Sequence, residues 1–507
     1  MLLEIHCHSS EHSSCSHVGA RQLVERVFNK GLQGIVFTDH HYLWSDSELK
    51  QLRRQCEVPD HFLILSGQEV KTRELGDVLV FGAEEIFPAD TSLTTIRQTY
   101  PQAALVLAHP YRKQRIPKTE TLLHPYLDAV EIFNSNQSVR ENSRGLQDWH
   151  RYRFTAVAGT DTHGESYAGL YPTLFDHPVT SIAELALEIR RGRCRPFFKE
   201  IPKAGAQNQV TEVTIGAKGA DEQRERLIIR TLQTDLKWHK AERAHAIMAA
   251  LVDLGFGGGR FRVPRPIDEN REAMTVIQEG LRGKSLFEKL LSSSPADRRY
   301  YLELTGRWLA RLHNCHLRIT PEDEFWKLEQ KRLSHYVERF DAIDHPHRRR
   351  AREIMDTVLE REATIFETHP DELVQGHGDF HPKNVIIGQD LLDDRSTLFV
   401  AAIDFESSYI MPRAFDVGAF LAQYRNQFFN HQEILQQLPE TLFLEAYLQE
   451  REQPLADAAF QVATYRARTN LSIAAYLIKL GLGDSDNLWR VLLEAEQALS
   501  TGLSKDS

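Results

Sequence analysis

The chain has 507 residues, more than one hydrophobic core usually supports, so two or three domains are expected. Its net charge of −10 and its pI near 6.2 argue against a dedicated nucleic-acid-binding protein, because a strong grip on phosphates usually requires a basic excess. Five scattered cysteines without a Cys-x-x-Cys pair, no leader-like N-terminus and no apolar run of about 18 residues predict a soluble cytoplasmic protein without a membrane span.

An apolar run near the N-terminus ends in two histidines separated by one residue, Ile5-His6-Cys7-His8. Alternate residues of a strand point the same way, so both imidazoles can bind one metal ion. Later apolar runs also end in ligand-type residues, at Thr38-Asp39-His40, Gly67-Gln68-Glu69, Ala108-His109-Pro110, Glu131 and Gly159-Thr160-Asp161-Thr162-His163. Strands with ligands at their C-terminal ends are typical of a β/α barrel, which brings its chemistry to one face.

Helical periodicity alternates with these strands. Residues 21–30 place Leu23, Val24, Val27 and Phe28 on one helical face, and Gly31 is suited to end this helix in the left-handed conformation. The alternation continues to about residue 198, where residues 195–198 are predicted as the last strand.

The order of these motifs resembles that of the polymerase and histidinol phosphatase (PHP) family over residues 1–203. The resemblance implies a distorted seven-stranded β/α barrel with two or three divalent metals that activate water against a phosphoester. Carried over by motif, the implied metal ligands are His6, His8, His40, Glu69, His109, Asp161 and His163. Several imidazoles with two carboxylates suit Zn, Mn or Fe, and such a site hydrolyses phosphoesters without a nucleophilic side chain.

The remaining ligands of this site stay open. The family usually has Asp or His shortly after the His-x-His motif, and several relatives have His after the strand-end Glu, whereas this chain departs from both patterns. The candidates that would complete the site are His12, Cys15, His17, Asp77 and His124.

A short basic segment follows His109. Arg112 and Lys113 either clamp a substrate phosphate, since a guanidinium matches its oxygens, or form a solvated turn. His41 is interpreted as a residue that supports or flanks the site, because successive strand residues face opposite sides.

The hydrophobic period changes after a predicted linker at residues 201–206. Residues 209–215, 226–231 and 274–279 are predicted as strands, and a helix is predicted from Trp238 to Leu251. The rest is mostly helical, with a buried stripe before His313 and exposed helices in the charged region 321–368.

The chemistry of this half lies in His377-Gly378-Asp379, in Asn384, and in Asp404 at a strand end. An Asp, a following Asn and a second Asp supply the base and the magnesium ligands that phosphoryl transfer requires. This pattern resembles the aminoglycoside phosphotransferase and choline kinase family over about residues 205–430. The resemblance implies that Asp379 orients or deprotonates an acceptor hydroxyl, while Asn384 and Asp404 hold magnesium on ATP or GTP.

The same resemblance implies an α+β bilobal kinase-like domain at residues 204–507, with a small lobe at about 205–283 and a helical lobe at about 284–507. The nucleotide-binding residues depart from the family pattern. Arg230 replaces the usual lysine that pairs with a helix glutamate, which here is Glu242. Arginine keeps the charge but is not equivalent to lysine. The glycine-containing phosphate loop is also faint at residues 205–208.

The leading interpretation is a bifunctional enzyme, a phosphoesterase acting on a small-molecule phosphate ester fused to a kinase for a small-molecule alcohol. A second hypothesis is a single-activity hydrolase whose kinase-like half senses a nucleotide or metabolite. A third, nucleic-acid end processing, is disfavoured by the acidic pI. The two halves are expected to have separate cores, so that residues 1–203 would fold alone.

Overall fold

The computed structural model describes residues 1–164, 167–202, 209–215, 225–391 and 394–501. The chain forms two compact units. The first contains Met1–Thr231 and Ile267–Gly280, and the second contains Leu232–Pro266 and Leu281–Ser507. The predicted boundary between residues 203 and 204 lies outside the described residues and stays a prediction.

The secondary structure alternates strands and helices in the first half of the chain and is mostly helical in the second. The strands are β1 (Leu2–Glu4), β2 (Gly34–Phe37), β3 (Leu63–Ser66), β4 (Gln68–Thr72), β5 (Gly76–Phe81), β6 (Ala104–Leu107), β7 (Ala129–Phe133), β8 (Ala156–Ala158), β9 (Thr173–Phe175), β10 (Cys194–Pro196), β11 (Phe198–Pro202), β12 (Gln209–Ile215), β13 (Glu225–Thr231), β14 (Phe261–Arg262), β15 (Pro266–Asn270), β16 (Thr275–Glu279), β17 (Lys284–Ser285), β18 (Leu373–Gln375), β19 (Val385–Gln389), β20 (Leu398–Ala402) and β21 (Ile410–Pro412). The α-helices are α1 (Ala20–Asn29), α2 (Asp46–Gln55), α3 (Leu93–Thr99), α4 (Thr119–Leu122), α5 (Val139–Tyr152), α6 (Ile182–Arg190), α7 (Asp235–Leu251), α8 (Leu286–Ser292), α9 (Pro295–Asn314), α10 (Glu324–Ala342), α11 (Arg348–Thr368), α12 (Ala414–Gln427), α13 (Gln432–Gln437), α14 (Thr441–Glu450), α15 (Ala458–Lys479) and α16 (Asp486–Thr501).

Two mixed five-stranded sheets form the α/β part of the first unit. One has the strand order β10-β9-β1-β2-β3 and the other β4-β5-β6-β7-β8. Strands β1, β2 and β3 are parallel, as are β6, β7 and β8. Beyond the strand ends, the bridges Cys7↔Thr162 and His40↔Glu69 connect the two sheets. The strand pairing of the described residues therefore does not confirm the closed seven-stranded barrel that the sequence predicts.

Helix α1 has the burial pattern that its sequence predicts. Leu23, Val24 and Val27 are buried on one face of the helix. Gly31 follows the helix with a φ of +81°, a conformation that costs glycine little because it has no Cβ. The predicted helix and its glycine stop are confirmed.

A third sheet of the first unit has the order β11-β12-β13-β16-β15. Its strand β12 covers the predicted residues 209–215. Ile201 and Pro202 pair with β12, so the predicted linker is wrong at these two positions. Residues 203–208, which contain the rest of the linker and the faint phosphate loop, lie outside the described residues.

This third sheet shares a hydrophobic core with the α/β part of the first unit. Val213, Ile215, Leu227 and Ile277 are buried in the same cluster as Val130 of β7. The expectation of separate cores is therefore wrong for this sheet, because the predicted small-lobe strands bury their apolar face against residues that precede the predicted boundary.

A carboxylate lies where this sheet meets helix α5. The Asn142 Nδ2 of α5 donates to Glu225 Oε2 at 3.3 Å. Burial raises the pKa of Glu225 to about 7, although hydrogen bonds from Asn142 and Tyr171 oppose the shift. The contact between helix and sheet thus contains a carboxyl group that titrates near neutrality.

The second unit is built mainly from helices. Leu304, Trp308, Leu309 and Leu312 of α9 are buried, which confirms the predicted stripe. The charged region forms α10 and α11, and one face of each helix packs in a core with α15 and α16. Every helix of the described residues is too short or too polar to cross a membrane.

Candidate functional site

The side chains predicted as metal ligands all lie at strand ends of the first unit. His6 and His8 follow β1, His40 follows β2, Glu69 is the second residue of β4, His109 follows β6, and Asp161 and His163 follow β8. Their ligand atoms fall into three overlapping groups within which all atoms lie inside 4.8 Å: His6, Glu69, His109 and Asp161; His8, Asp161 and His163; and His8, Cys15 and His40. The fold thus gathers all of the predicted ligands, together with Cys15, into one cluster, called the histidine–carboxylate cluster below.

Glu69 lies at the centre of this cluster. Its Oε2 is 3.0 Å from His8 Nε2 and 3.2 Å from His40 Nδ1, and its Oε1 is 3.1 Å from His109 Nε2. Asp161 Oδ1 also lies 3.1 Å from His8 Nε2. Together with these imidazoles, the carboxylate of Glu69 would help to hold divalent cations.

Several atoms of the cluster are buried without a hydrogen-bond partner among the described residues, namely His6 Nε2, His8 Nε2 and Glu69 Oε2. His6 Nδ1 donates to Glu131 Oε1 at 2.9 Å, so the neutral form of the ring presents a lone pair at Nε2. This lone pair faces the carboxylates of Glu69 and Asp161, 3.5 and 3.6 Å away. Buried acceptors that face one another are unfavourable unless a cation lies between them, so the donor set fits divalent metals.

The pKa shifts of the buried cluster histidines also indicate a site that favours bound cations. Burial lowers the pKa of His6, but the carboxylates of Glu131, Asp161 and Glu69 outweigh burial and raise it well above its ordinary value. Burial likewise lowers the pKa of His8, yet the adjacent carboxylates of Asp161 and Glu69 raise it to about 9. The carboxylates therefore stabilise positive charge in the cluster, which either protons on the histidines or metal ions can supply. Metal binding would consequently release protons from the histidines.

Glu131, which the sequence analysis names only as a ligand-type residue at a strand, supports the cluster. Its Oε1 accepts from His6 Nδ1, and its Oε2 accepts the backbone N–H of His109 at 2.9 Å and Asn134 Nδ2 at 3.0 Å. A carboxylate behind a ligating imidazole fixes which ring nitrogen carries the proton. The available signal was the position of Glu131 in a buried strand, where an unpaired carboxylate is rare.

The backbone around the cluster adopts unusual conformations. His109 and Asp161 have positive φ values of 32° and 47°, which non-glycine residues seldom adopt. At Gly159, a Cβ would overlap His6 Cβ and lie 2.7 Å from Glu131 Oε1. Strained backbone concentrates at functional sites, and the glycine permits the close approach of β1 and β8.

Of the two basic residues predicted as a phosphate clamp, Arg112 reaches the cluster. Its Nη1 lies 3.5 Å from Asp161 Oδ2. Lys113 is exposed and has a left-handed φ of 61°. Asn136, which the sequence analysis missed, donates from Nδ2 to Asp161 Oδ2 at 2.9 Å and to its carbonyl oxygen at 2.7 Å.

The loop after His8 holds three of the open ligand candidates. His12 stacks on Tyr42 with ring centroids 3.6 Å apart, and its Nε2 lies 3.4 Å from Glu48 Oε1. His17 is exposed, and its backbone N–H donates to the carbonyl of His163 at 2.9 Å. Cys15 belongs to one of the three ligand groups, whereas His12 and His17 belong to none of the groups among the described residues.

The other two open candidates lie on different elements. Asp77 pairs with Lys71 in the β4–β5 ladder, and its carbonyl accepts the N–H of Ala108 at 3.0 Å. His124 Nδ1 accepts the N–H of Tyr126 at 3.3 Å. Neither residue belongs to a ligand group within the part of the chain that the structure describes. His41 Nδ1 donates to the carbonyl of Phe87 at 2.9 Å, and His41 is outside the ligand groups of the described residues.

A second candidate site lies in the loop between β18 and β19 of the second unit. Asn384 Nδ2 donates to Asp379 Oδ2 at 3.1 Å and to the Asp379 carbonyl at 3.0 Å. This arrangement leaves Asn384 Oδ1 as a possible cation ligand. The buried Asp416 anchors the loop, because its carboxylate accepts the backbone N–H groups of His377 at 2.7 Å and Gly378 at 2.8 Å.

Asp404 follows β20, beside Asn384. Strands β19 and β20 are antiparallel with Val385 opposite Ala402, and the Ile403 N–H donates to the Asn384 carbonyl at 2.9 Å. Asp404 is exposed and has a left-handed φ of 70°. Two oxygen-bearing side chains at adjacent strand ends are suited to hold Mg²⁺.

The predicted nucleotide-gripping residues lie in different units. Arg230 lies in β13 of the first unit, opposite Val210 and Val276. Glu242 is exposed on α7 of the second unit, and its Oε2 lies 3.2 Å from His239 Nδ1. The sheet of the first unit therefore positions Arg230, and helix α7 of the second unit positions Glu242.

Arg243, next to Glu242, was missed by the sequence analysis. Its Nη2 donates to the carbonyl of Glu406 at 2.9 Å, and its guanidinium lies 4.1 Å from the ring centroid of Tyr409. Arg243 thereby ties α7 to the segment that follows Asp404. In the sequence, the only indication of this contact was an arginine next to the helix glutamate, on a half-buried helix.

Comparison with known proteins places residues 200–460 within the model of a family described as the phosphotransferase enzyme family. Similar solved structures include a choline kinase from Cryptosporidium parvum Iowa II, with 14% identity, coverage of 60% of this chain and 89% of that chain, and a TM-score of 0.41. An ethanolamine kinase from Plasmodium vivax has 16% identity, coverage of 61% and 82%, and a TM-score of 0.38. A choline kinase from Streptococcus pneumoniae has 14% identity, coverage of 60% and 93%, and a TM-score of 0.37. A search of curated proteins gave no match.

Proposed function

The chain belongs to the phosphotransferase enzyme family, and from this premise we propose that it is a bifunctional enzyme. Its second activity would transfer a phosphoryl group from magnesium-bound ATP or GTP to the hydroxyl of a small-molecule alcohol. Its first activity would hydrolyse a small-molecule phosphate ester at the histidine–carboxylate cluster, as the resemblance of residues 1–203 to the PHP family suggests.

The hydrolase proposal is supported above all by the buried, unpartnered atoms that face one another in the cluster. Two or three ions of Zn, Mn or Fe would be held by His6, His8, His40, Glu69, His109, Asp161 and His163. When bound, such ions supply a water of lowered pKa as the nucleophile. Arg112 is near enough to Asp161 to contact a phosphate oxygen at the edge of the cluster.

The phosphotransferase proposal is supported by the contact between Asp379 and Asn384 beside the end of β20. Asp379 would accept the proton of the acceptor hydroxyl, or orient that hydroxyl. Asn384 and Asp404 would hold the magnesium ions that accompany the nucleotide. Arg230 would supply the positive charge that a lysine gives in the family pattern.

Metal analysis and hydrolysis of an aryl phosphate ester test the first activity. The purified wild-type protein should contain two or three equivalents of transition metal and release phosphate, and the His6→Ala, His8→Ala double variant should lose both properties. His124→Ala is a matched control, because His124 lies in the same unit but outside the ligand groups. Wild-type metal content and hydrolysis in the double variant would remove the basis for this assignment.

Calorimetry and transfer assays with magnesium and ATP or GTP test the second activity. Asp379→Ala should abolish transfer but keep nucleotide binding, because Asp379 addresses the acceptor. Arg230→Lys should be tolerated, and Arg230→Ala should weaken nucleotide affinity. Asp371→Ala, an exposed aspartate before β18, is the control. Binding without transfer to any alcohol would favour the sensor alternative. No heat with either nucleotide would contradict the phosphotransferase activity and favour a single-activity hydrolase.

A further inference from the structure

We propose that Cys15 is a thiolate ligand of the histidine–carboxylate cluster, and that it makes one metal position a nitrogen-and-sulfur site that prefers zinc to manganese. The inference rests on the proposed hydrolase activity, because it concerns the metals of the same cluster. It goes beyond that activity by assigning a ligand that the family pattern lacks and a metal preference that follows from it.

The geometry supplies the ligand group. The Sγ of Cys15 and the ligand nitrogens of His8 and His40 all lie within 4.8 Å of one another. The two imidazole rings stack with centroids 4.4 Å apart and an interplanar angle of 20°. His8 is fully buried, and its Nε2 has no hydrogen-bond partner among the described residues. A buried imidazole with an unpartnered nitrogen, grouped with a sulfur atom and a second imidazole, suits a soft divalent cation.

The loop that carries Cys15 is anchored on both sides of the cysteine. Before it, Ser13 Oγ donates to Asp39 Oδ1 at 2.6 Å. After it, Ser16 Oγ donates to the His8 carbonyl at 2.8 Å, and the His17 N–H donates to the His163 carbonyl at 2.9 Å. These bonds join the loop to the strand ends that carry the ligands, so the position of Cys15 is fixed by the scaffold of the cluster.

The other cysteine near the cluster faces away from it. Cys7 lies between His6 and His8, but alternate strand residues point to opposite sides. Its Sγ is buried and lies 3.5 Å from the carbonyl of Val36, in the core behind the strand. Cys15 is exposed, so it lies at the mouth of the cluster and is accessible to reagents.

Ligand chemistry then predicts the metal preference. On binding, the Cys15 thiol releases its proton to solvent and its sulfur forms a bond to the metal. Thiolate is a soft ligand that suits zinc, whereas carboxylate and water oxygens suit manganese. A site that holds Cys15 where relatives have an aspartate therefore has a selectivity shifted toward zinc and cobalt.

Cobalt substitution reports the metal–sulfur bond directly. The full-length protein loaded with Co²⁺ should show a near-ultraviolet thiolate-to-cobalt charge-transfer band that is lost in Cys15→Ala. It should be unchanged in Cys315→Ala, a partly exposed cysteine of the second unit. In the metal-free wild type, iodoacetamide should alkylate Cys15, and saturating Zn²⁺ should protect it, as read by peptide mass spectrometry.

A conservative replacement tests the preference without deleting the ligand. Cys15→Asp should keep the wild-type metal equivalents but lower the zinc-over-manganese preference by about tenfold or more, as competition binding would measure. Cys15→Ala should lose about one equivalent of zinc. Circular dichroism of both variants checks that the fold is kept.

The outcomes separate this inference from the proposed hydrolase. Wild-type protein that binds no transition metal and hydrolyses no phosphate ester would contradict the hydrolase proposal itself. Full metal content in wild type and in Cys15→Ala, with the same cobalt spectrum, would overturn the role of Cys15 and leave the hydrolase proposal standing.

Discussion

Replacing Glu131 by glutamine should weaken metal binding although it removes no ligand. The Oε2 of Glu131 accepts two hydrogen bonds, from the His109 N–H and from Asn134, so the amide oxygen of glutamine would take that position. Its NH₂ group would then occupy the place of Oε1, 2.9 Å from His6 Nδ1. Because an amide N–H donates, His6 would accept at Nδ1 and carry its proton at Nε2, the atom that faces Glu69 and Asp161.

The expected loss follows from this change of tautomer. A protonated Nε2 cannot bind a metal, and loss of a supporting carboxylate typically costs about 10- to 100-fold in affinity. This corresponds to about 1.4–2.7 kcal/mol of binding free energy. Titration of the metal-free protein with zinc in the presence of a chromophoric chelator measures the dissociation constant.

A matched control and an alternative outcome make this test decisive. Glu188→Gln changes another buried carboxylate of the first unit, one that contacts His177 at 2.8 Å and lies outside the cluster. It should bind zinc like the wild type. If Glu131→Gln also kept wild-type affinity while His6→Ala lost it, the proposed control of the His6 tautomer would be refuted.

Two further predictions concern other parts of the chain. Folded Glu225 holds its proton up to about pH 7 and the unfolded chain only to about pH 4.5, so the free energy of unfolding should fall across this interval as the pH rises. At about 1.4 kcal/mol per pKa unit the loss is at most about 3–4 kcal/mol. Glu225→Gln should remove this loss and give a higher urea midpoint than the wild type at pH 8 but not at pH 4. Equal pH dependence in both proteins would contradict this. Gly378 has a φ of +80°, and a Cβ at this residue would overlap the carbonyl oxygen of Ser407. Gly378→Ala should therefore displace the Asp379 loop and lower any phosphotransfer rate by about a hundredfold. An unchanged rate would show that the loop adapts to the alanine.

The clustering of the candidate ligands could be predicted from the sequence because each of them lies close to the end of a short apolar run. An apolar run followed by His or a carboxylate predicts a strand end, and parallel strand ends meet at one edge. His6, His109 and Asp161 are of this kind, and the structure places them together. The carboxylate of Glu131 in a buried strand indicates that it has a partner. That this partner is His6 could not be predicted, because it depends on the distance between β1 and β7, which are far apart in the chain.

The choice among the loop residues could not be predicted for a related reason. His12, Cys15 and His17 are all chemically able to bind a metal, and the sequence gives no preference. The hydrogen bond from Ser13 to Asp39 sets the path of the loop, and it joins residues that lie in different strand–loop segments. Likewise, the alternating pattern of β12 predicts one apolar face but not the surface that covers it.

The shared core of the first unit has a consequence for the strand that carries Arg230. Because β13 buries Leu227 in the same cluster as Val130, its amide protons should exchange mainly through opening of the whole core. A metal that binds only the folded unit stabilises that core by about 2.7 kcal/mol at a concentration one hundred times its dissociation constant. Zinc bound at the N-terminal strand ends should therefore slow hydrogen–deuterium exchange in β13 by about a hundredfold. Metal occupancy of the cluster would then control how often a strand in the phosphotransferase region opens.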